Sequence, residues 1–293
     1  MKAGEDEILQ RKEIKTTGRT YSLLLTERDI GIHYPGMIIY TLCIFSGDAV
    51  IALFRTNTYE YPPLSPIGAL GVVQAKTDEW ERELQSNPSE FQAWHESKAI
   101  KLSGDTGTPE VLILQGSPRP AGNCSVMAGW AQAFAELAGR TADVVYLDDL
   151  TIRACIGCYQ CYNTGTCIFE DDMTGIIRAL SCARVVIICT PVYTNTVPGS
   201  LKIVFDRCQA YHAMQVLNGH YPRKKGLLFS VAGRKGQKNF TCITRVVDAF
   251  MENIHIRPSG KVLIDDLDRI RDIRNVAGAE QQIKKAVVKC LYD

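Results

Sequence analysis

The sequence predicts an α/β fold: a doubly wound, five-stranded parallel sheet over residues 106–293, preceded by an extra α+β domain over 1–105. Three observations predict it. From Glu110 onward, short apolar runs alternate with helix-length amphipathic segments. Those runs are almost wholly apolar, the pattern of strands buried on both faces. The first hundred residues break the rhythm with hairpin-like strands and clustered prolines.

Each element has its own signal. Val111-Leu112-Ile113-Leu114 reads as the first buried strand, followed by a Gly/Pro loop and a helix from about Ser125 to Leu137. Asp143 to Leu147 is the second strand, and a cysteine-rich loop over 152–170 follows it. A helix from Asp172 to Ser181 leads to the third strand, Arg184 to Cys189, and a helix from Gly199 to Tyr211 comes next. Gly226 to Val231 is the fourth strand, Phe240 to Asn253 a helix, and Lys261 to Ile264 the fifth strand. The closing helix spans Ala277 to Leu291, with Ile283, Val287 and Cys290 at helical spacing. Right-handed crossovers then place helices on both faces, with ligands expected beyond the carboxyl ends of the strands.

In the N-terminal region, Tyr21 to Leu25, Met37 to Phe45 and Ala49 to Arg55 read as strands. Ser46-Gly47-Asp48 joins the last two as a hairpin, which also breaks the longest apolar stretch, Gly36 to Phe54. Pro62, Pro63 and Pro66 interrupt regular structure, and Thr77 to Leu84 is a short helix. Asn87-Pro88-Ser89-Glu90 opens another, with Asn87 as cap, Pro88 at the first helical position and Glu90 completing a capping box. Ser103 to Gly107 has linker composition.

Composition narrows the function. Residues 1–108 hold 11 Lys/Arg against 15 Asp/Glu, and the remainder 22 against 17. The basic residues are scattered, so no nucleic-acid partner is expected. No run approaches the roughly 18–20 apolar residues of a membrane span, and the mixed-charge N-terminus lacks the apolar core of a signal peptide. The protein is expected to be soluble and cytoplasmic. Eleven cysteines in such a compartment do not form a disulfide framework, and four of them fall between Cys155 and Cys167. Clustered thiols in a reducing compartment point first to metal.

Gly116-Ser117-Pro118-Arg119-Pro120-Ala121-Gly122-Asn123-Cys124-Ser125 sits between the first strand and its helix. That junction suits a phosphate, because free N–H groups and the positive end of the helix dipole face the same point. Ser117, Asn123 and Ser125 can donate hydrogen bonds and Arg119 a charge-assisted one. The loop lacks both the Gly-Lys-Ser/Thr of a Walker motif and the Gly-x-Gly of dinucleotide folds. An ordinary Gly/Pro turn capped by Asn123 or Ser125 is the competing reading.

The motif Gly-Ser-x-Arg-x-x-Gly-Asn-x-Ser resembles the phosphate loop of the NAD(P)H-dependent FMN reductase and iron–sulfur flavoprotein group. The resemblance continues through Asp171-Asp172-Met173, Thr190-Pro191-Val192-Tyr193, Val197 to Lys202 and Asp206-Arg207, covering about residues 110–290. It implies a flavodoxin-like domain with strand order 2-1-3-4-5 that binds FMN. Ser117, Arg119, Asn123, Cys124 and Ser125 would hold the phosphate. Pro191, Val192, Tyr193, Thr194 and Asn195 would line the isoalloxazine, with Ala232 and Gly233 on its far side. Cys124 departs from the Thr or Ser usual in the family, and Ala183-Arg184 from the common Ala-Asp.

Cys155-x2-Cys158-x2-Cys161-x5-Cys167 is the sharpest feature of the chain. Soft thiolates at two-residue gaps can wrap one cubane, although no proline follows the fourth cysteine as in ferredoxins. The spacing resembles that of archaeal and anaerobe iron–sulfur flavoproteins, which bind a [4Fe–4S] cluster in this loop. Tetrahedral zinc and metal-free thiols stand as alternatives. Cys182, Cys189, Cys208, Cys242 and Cys290 read as small buried hydrophobes. The five scattered histidines form no catalytic constellation, and Asp171-Asp172 reads as a helix start rather than an acid pair.

The function expected is that of an iron–sulfur flavoprotein, relaying electrons between one-electron carriers and two-electron acceptors. The redox partner would be a ferredoxin-like protein or NAD(P)H, and the assembly a homodimer or homotetramer. A cluster-free FMN or quinone reductase and a non-catalytic interaction module are the alternatives.

Overall fold

The computed structural model describes residues 5–16, 18–61, 65–98 and 109–292. Pro62, Pro63 and the linker at Ser103 to Gly107 lie outside the described residues. The chain divides into two compact units, Met1–Gly104 with Ile156–Ile168, and Asp105–Cys155 with Phe169–Asp293.

The first unit is an antiparallel sheet of β1 (Glu7–Lys15), β2 (Thr20–Asp29), β3 (Ile38–Ser46) and β4 (Ala49–Asn57), in that spatial order. Gly47 and Asp48 form the two-residue β3–β4 turn, with Gly47 at φ +60. α1 (Ala69–Ser86) and α2 (Pro88–Lys98) follow. Tyr21, Leu23, Leu25, Leu42 and Ile44 of the sheet bury against Val73, Trp80 and Leu84 of α1 and Phe91 of α2. Asn87 caps α2 as expected, its Oδ1 accepting from the Glu90 N–H at 3.3 Å, but the expected capping box does not close: the Asn87 N–H donates to the Glu83 carbonyl at 2.9 Å, ending α1, and the Glu90 carboxylate accepts from Asn87 Nδ2 at 2.7 Å instead.

Two sequence expectations change here. β1 was not foreseen, because its sequence, EILQRKEIK, buries only Ile14. Charged, exposed strands belong at sheet edges, where they block further pairing. α1 is also longer than the expected Thr77–Leu84, because its first turns bury only Ala69 and Val73.

The second unit contains five parallel strands, β5 (Val111–Gln115), β6 (Ala142–Tyr146), β7 (Val185–Pro191), β8 (Lys224–Val231) and β9 (Ile256–Ile264). Their spatial order, β6-β5-β7-β8-β9, is the flavodoxin-like order expected. Successive residues feed opposite faces. Val111, Ile113, Val185, Ile187 and Phe229 pack towards α3 (Asn123–Leu137) and α9 (Ala279–Tyr292). Leu112, Leu114, Val186, Ile188 and Leu228 pack towards the helices of the other face. These are α5 (Met173–Cys182), α6 (Gly199–Arg207), α7 (Gln209–Asn218) and α8 (Thr241–Asn253). α3 buries Cys124, Met127, Ala128, Ala131 and Ala135, and the small residues let it lie close to the sheet.

The expected single helix over Gly199–Tyr211 is two helices meeting at Cys208, with the second reaching Asn218. Cys182 and Cys242 are exposed rather than buried, whereas Cys189, Cys208 and Cys290 are buried. The first two fall outside the buried stripes of α5 and α8.

Candidate functional site

The loop after β5 begins with a tight approach. A Cβ on Gly116 would stand 2.7 Å from Leu201 Cδ2 of α6, so only glycine fits. The loop is then braced by its own side chains. The Ser117 N–H donates to Gln115 Oε1 at 2.9 Å, and Gln115 Nε2 donates to Ser125 Oγ at 2.9 Å. The Arg119 N–H donates to Ser117 Oγ at 3.2 Å, and Ser125 Oγ donates to the Arg119 carbonyl at 3.4 Å.

Helix α3 opens at Asn123, earlier than the expected Ser125, with Gly122 as its cap and no side-chain cap bond. The N–H groups of Asn123 and Cys124 have no partner among the described residues. An uncapped helix end beside the exposed Arg119 has the donors and the dipole of an anion site.

The remaining loop residues have other duties. Asn123 Nδ2 donates to the Arg271 carbonyl at 3.0 Å, and its Oδ1 accepts from the Ile273 N–H at 3.0 Å. That bridge uses the whole amide, leaving the Asn123 N–H for a ligand. The Cys124 side chain is 2% exposed. Burial pushes its thiol up to about 12, partly offset by a hydrogen bond from Ser117. Cys124 can therefore offer an anion its N–H, not its sulfur.

Two further loops stand at the carboxyl edge. Pro191 ends β7 and Val192 donates its N–H to the Val231 carbonyl at 2.9 Å, tying the β7 loop to the end of β8. Tyr193 and Thr196 exchange both backbone hydrogen bonds, at 2.8 and 2.9 Å. Between them, Thr194 and Asn195 sit at φ +45 and +62. This is the type I′ turn, and a β-branched residue at positive φ is held there only by its surroundings. Such strain gathers at ligand sites. Tyr193 is 38% exposed at the edge of this turn.

After β8, the Ala232 N–H donates to the Ile264 carbonyl at 2.9 Å. A Cβ on Gly233 would meet the carboxylate of the exposed Asp268, which would have to turn aside. The structure thus brings Ser117 to Ser125, Pro191 to Asn195 and Ala232 to Gly233 to one edge of one sheet.

The cysteine loop leaves β6 at the same end of the strands. Within the second unit its two necks are pinned by Arg207, which is 1% exposed. Arg207 Nη1 donates to the Arg153 carbonyl at 2.6 Å and to Asp171 Oδ2 at 2.7 Å, and Nη2 donates to Asp171 Oδ1 at 2.9 Å. Asp171 also accepts from the Arg153 N–H at 3.0 Å. The Arg153 guanidinium lies 4.0 Å from the centroid of the Phe169 ring. Burial works against the Asp171 charge, but the Arg207 pair and the backbone donors hold its carboxyl below the usual range.

Within the first unit, Cys158 and Cys167 are half-buried and Cys161 is buried at the start of the short helix α4 (Cys161–Thr164). Cys155, at the end of the second unit, is exposed. Gly157, Tyr159 and Gly165 take positive φ and wind the loop tightly. Four free cysteines on thirteen residues suit a soft metal or an iron–sulfur cluster by donor chemistry. Among the described residues, no three His, Cys, Asp or Glu side chains are gathered as a metal site.

Sequence reasoning missed two sets of residues here. Asp171-Asp172 reads from the residues as a helix start within the family motif, yet Asp171 is half of a buried ion pair. Asn57 and Glu60 carry no sequence signal, although both bond the side chain of Asn163 in the cysteine loop. Asp206-Arg207 was part of the family motif, but nothing in the linear order says which acid Arg207 meets.

The chain has relatives among known proteins. The family model for NADPH-dependent FMN reductase matches residues 109–265. An iron–sulfur flavoprotein of Methanosarcina thermophila is 28% identical over 159 residues, 54% of this chain and 78% of that protein. One from Archaeoglobus fulgidus is 34% identical over 108 residues, 37% of this chain and 49% of its own length. Among solved structures, NAD(P)H:quinone oxidoreductase from Methanothermobacter marburgensis aligns at a TM-score of 0.49 and 16% identity, covering 64% of this chain and 99% of that one. A family match over more than half of its length, on a parallel sheet of flavodoxin-like strand order, makes this chain a member of the NADPH-dependent FMN reductase family and an FMN-dependent oxidoreductase.

Proposed function

We propose that the chain is an iron–sulfur flavoprotein that relays electrons between one-electron carriers and two-electron acceptors. The observation that carries this reading is the set of four free cysteines at ferredoxin-like spacing on a loop leaving the flavin edge of the sheet. The relatives bearing the name iron–sulfur flavoprotein support it. When bound, FMN exchanges electrons singly or in pairs, and a [4Fe–4S] cluster passes them one at a time.

The chain's own residues divide the work. The N–H groups of Asn123 and Cys124 and the Arg119 guanidinium hold the FMN phosphate, while Ser117 and Ser125 fix the loop's shape. Pro191, Val192, Tyr193, Thr194 and Asn195 form one wall of the ring site, and Ala232 and Gly233 the other. The N–H groups of Thr194, Asn195 and Gly233, which bond nothing else among the described residues, would polarise the ring, and Tyr193 would supply an aromatic face. Cys155, Cys158, Cys161 and Cys167 are the ligands of the cluster. The electron donor is NAD(P)H or a ferredoxin-like protein, the compartment is the reducing cytoplasm, and the assembly is a homodimer or homotetramer. Among the described residues, no helix is long and apolar enough to cross a membrane.

The test is anaerobic purification followed by flavin, iron and sulfide analysis. One FMN with about four irons and four sulfides per chain is expected. A second reading, an FMN reductase with metal-free thiols, is favoured by the match to the FMN reductase family. FMN with neither iron nor sulfide, and turnover with NAD(P)H, would establish that one instead.

A further inference from the structure

The cysteine loop is held by residues of the N-terminal sheet in a way that assigns that sheet a role. Asn163 lies between Cys161 and Cys167, and all three of its oxygen and amide groups are engaged by residues 55–60. Its Nδ2 donates to Glu60 Oε1 at 2.6 Å, its Oδ1 accepts from Asn57 Nδ2 at 2.9 Å, and its carbonyl accepts from Arg55 Nη1 at 3.2 Å. Asn57 Nδ2 also donates to the Tyr159 carbonyl at 3.3 Å, between Cys158 and Cys161.

The holding residues are themselves fixed. Asn57 is 0% exposed, and its Oδ1 accepts from the Tyr59 N–H at 3.0 Å. The second oxygen of Glu60 accepts from Thr56 Oγ1 at 2.6 Å and from the Asn57 N–H at 3.1 Å. Aromatic rings close around the same segment. Tyr159 meets Tyr34 and Tyr59 edge-on at 5.9 and 5.1 Å, and the fully buried Tyr162 meets Tyr34 at 5.4 Å.

A second, independent observation points the same way. Tyr159 sits at φ +56, a conformation unfavourable to an aromatic residue. Such a residue persists only where its surroundings over-determine it, and these cluster at working sites. The strained residue is the one that follows Cys158 and precedes the turn carrying Cys161. The sheet therefore sets the backbone on which these thiols stand, and a surface loop of this composition would otherwise be mobile.

We propose that Asn57, Glu60 and Asn163 are positioning residues for Cys158 and Cys161, and that the N-terminal unit serves to shape and shield the cysteine loop. The shielding claim needs no metal. The claim that this shape serves a cluster rests on the function proposed above.

The test exchanges the charge between the two central partners. Asn163→Asp places a second carboxylate against Glu60 and removes the donor between them. Adding Glu60→Gln restores a donor facing an acceptor. Full-length variants are compared with wild type by the alkylation rate of each cysteine in metal-free protein, by iron and sulfide after anaerobic reconstitution, and by FMN content. Asn163→Asp is expected to alkylate at Cys161 about tenfold faster or more, as local opening becomes easier by a buried hydrogen bond. It should also hold less than about half the wild-type iron, while the double variant returns to within about twofold on both measures, the signature of a direct pair. FMN content should not change.

Folded Asn163→Asp protein with wild-type alkylation and wild-type iron would overturn the proposal. So would a double variant no better than the single one. Should Asn163→Asp fail to fold, Asn57→Ser, which keeps a small polar group, is read by the same measures and the same outcomes. Wild-type protein that takes up no iron, with Cys161 unshielded by Asn163→Asp and re-shielded by the exchange, would sustain the positioning role and defeat the cluster reading. Full iron in all variants, with Cys161 alkylated at the wild-type rate in each, would do the reverse.

Discussion

Arg207 and Asp171 form a bidentate ion pair, with hydrogen bonds of 2.7 and 2.9 Å, and their side chains are 1% and 7% exposed. The pair does more than neutralise two buried charges. Through Arg153 on one side and Asp171 on the other it joins the two ends of the cysteine loop, with Phe169 against both guanidinium groups. Removing a single partner leaves an uncompensated charge in the interior, which is costly even where the intact pair is close to neutral.

Asp171→Asn is therefore expected to destabilise the protein by about 3–5 kcal/mol at pH 7, measured by denaturant unfolding. The pH dependence has a definite sign. Asp171 is held below its ordinary value in the folded state, so its contribution is complete above the unfolded value near 4. It is lost as the pH falls through the depressed folded value. The gap between wild type and variant should therefore narrow below about pH 4. A gap of constant size down to pH 2.5 would show that packing, not charge, sets the cost.

Arg119→Ala is expected to weaken FMN binding by about 1.5–3 kcal/mol, the range for a hydrogen bond to a charged group. Arg119 is exposed and makes no side-chain bond among the described residues, so the flavin-free protein should melt at the wild-type temperature. Fluorescence titration of FMN into the apoprotein measures the first effect. A dissociation constant within about twofold of wild type would remove Arg119 from the phosphate site.

Thiol chemistry should sort the cysteines outside the cysteine loop. Iodoacetamide at pH 8, read by peptide mass spectrometry, is expected to modify the exposed Cys182 and Cys242 first. Cys124, Cys189 and Cys208 should be spared, because burial raises all three thiols and only the thiolate attacks. Early labelling of Cys124 would contradict its burial under the phosphate loop.

The parts legible in the sequence are those with a local physical cause. Strands β5, β7 and β8 are buried on both faces, so their apolar runs announce themselves, and the β5 loop carries its glycines and serines in one short stretch. The parts that were not legible depend on distant partners. β1 is a charged edge strand whose only call on the core is Ile14. Asn163 looks like an ordinary loop residue until Glu60, 103 positions earlier, meets its amide. Asn123 was read as a phosphate donor, and its side chain is instead tied to Arg271 and Ile273, about 150 residues away. Cys182 reads as buried on composition alone, yet lies off the Met173, Ile176, Leu180 stripe that meets the sheet.

The last prediction concerns Lys224, at the start of β8. Its side chain is buried, and Nζ donates to the carbonyls of Ser181 and Ala183, at 3.0 and 2.5 Å, closing the end of α5. Burial penalises the charged ammonium and brings its pKa down to about 8. The unfolded chain holds that proton up to about pH 10.4. Between these values the unfolded state binds more protons than the folded one, so this group makes stability rise with pH. Below pH 8 the folded protein carries the full cost of a buried charge. Lys224→Met removes the titration along with the two hydrogen bonds. The stability of wild type relative to Lys224→Met, followed by urea unfolding from pH 7 to 10, should therefore increase as the pH rises. A difference that is flat over that range, or that falls, would mean that Lys224 keeps an ordinary pKa and that its place under α5 carries no electrostatic penalty.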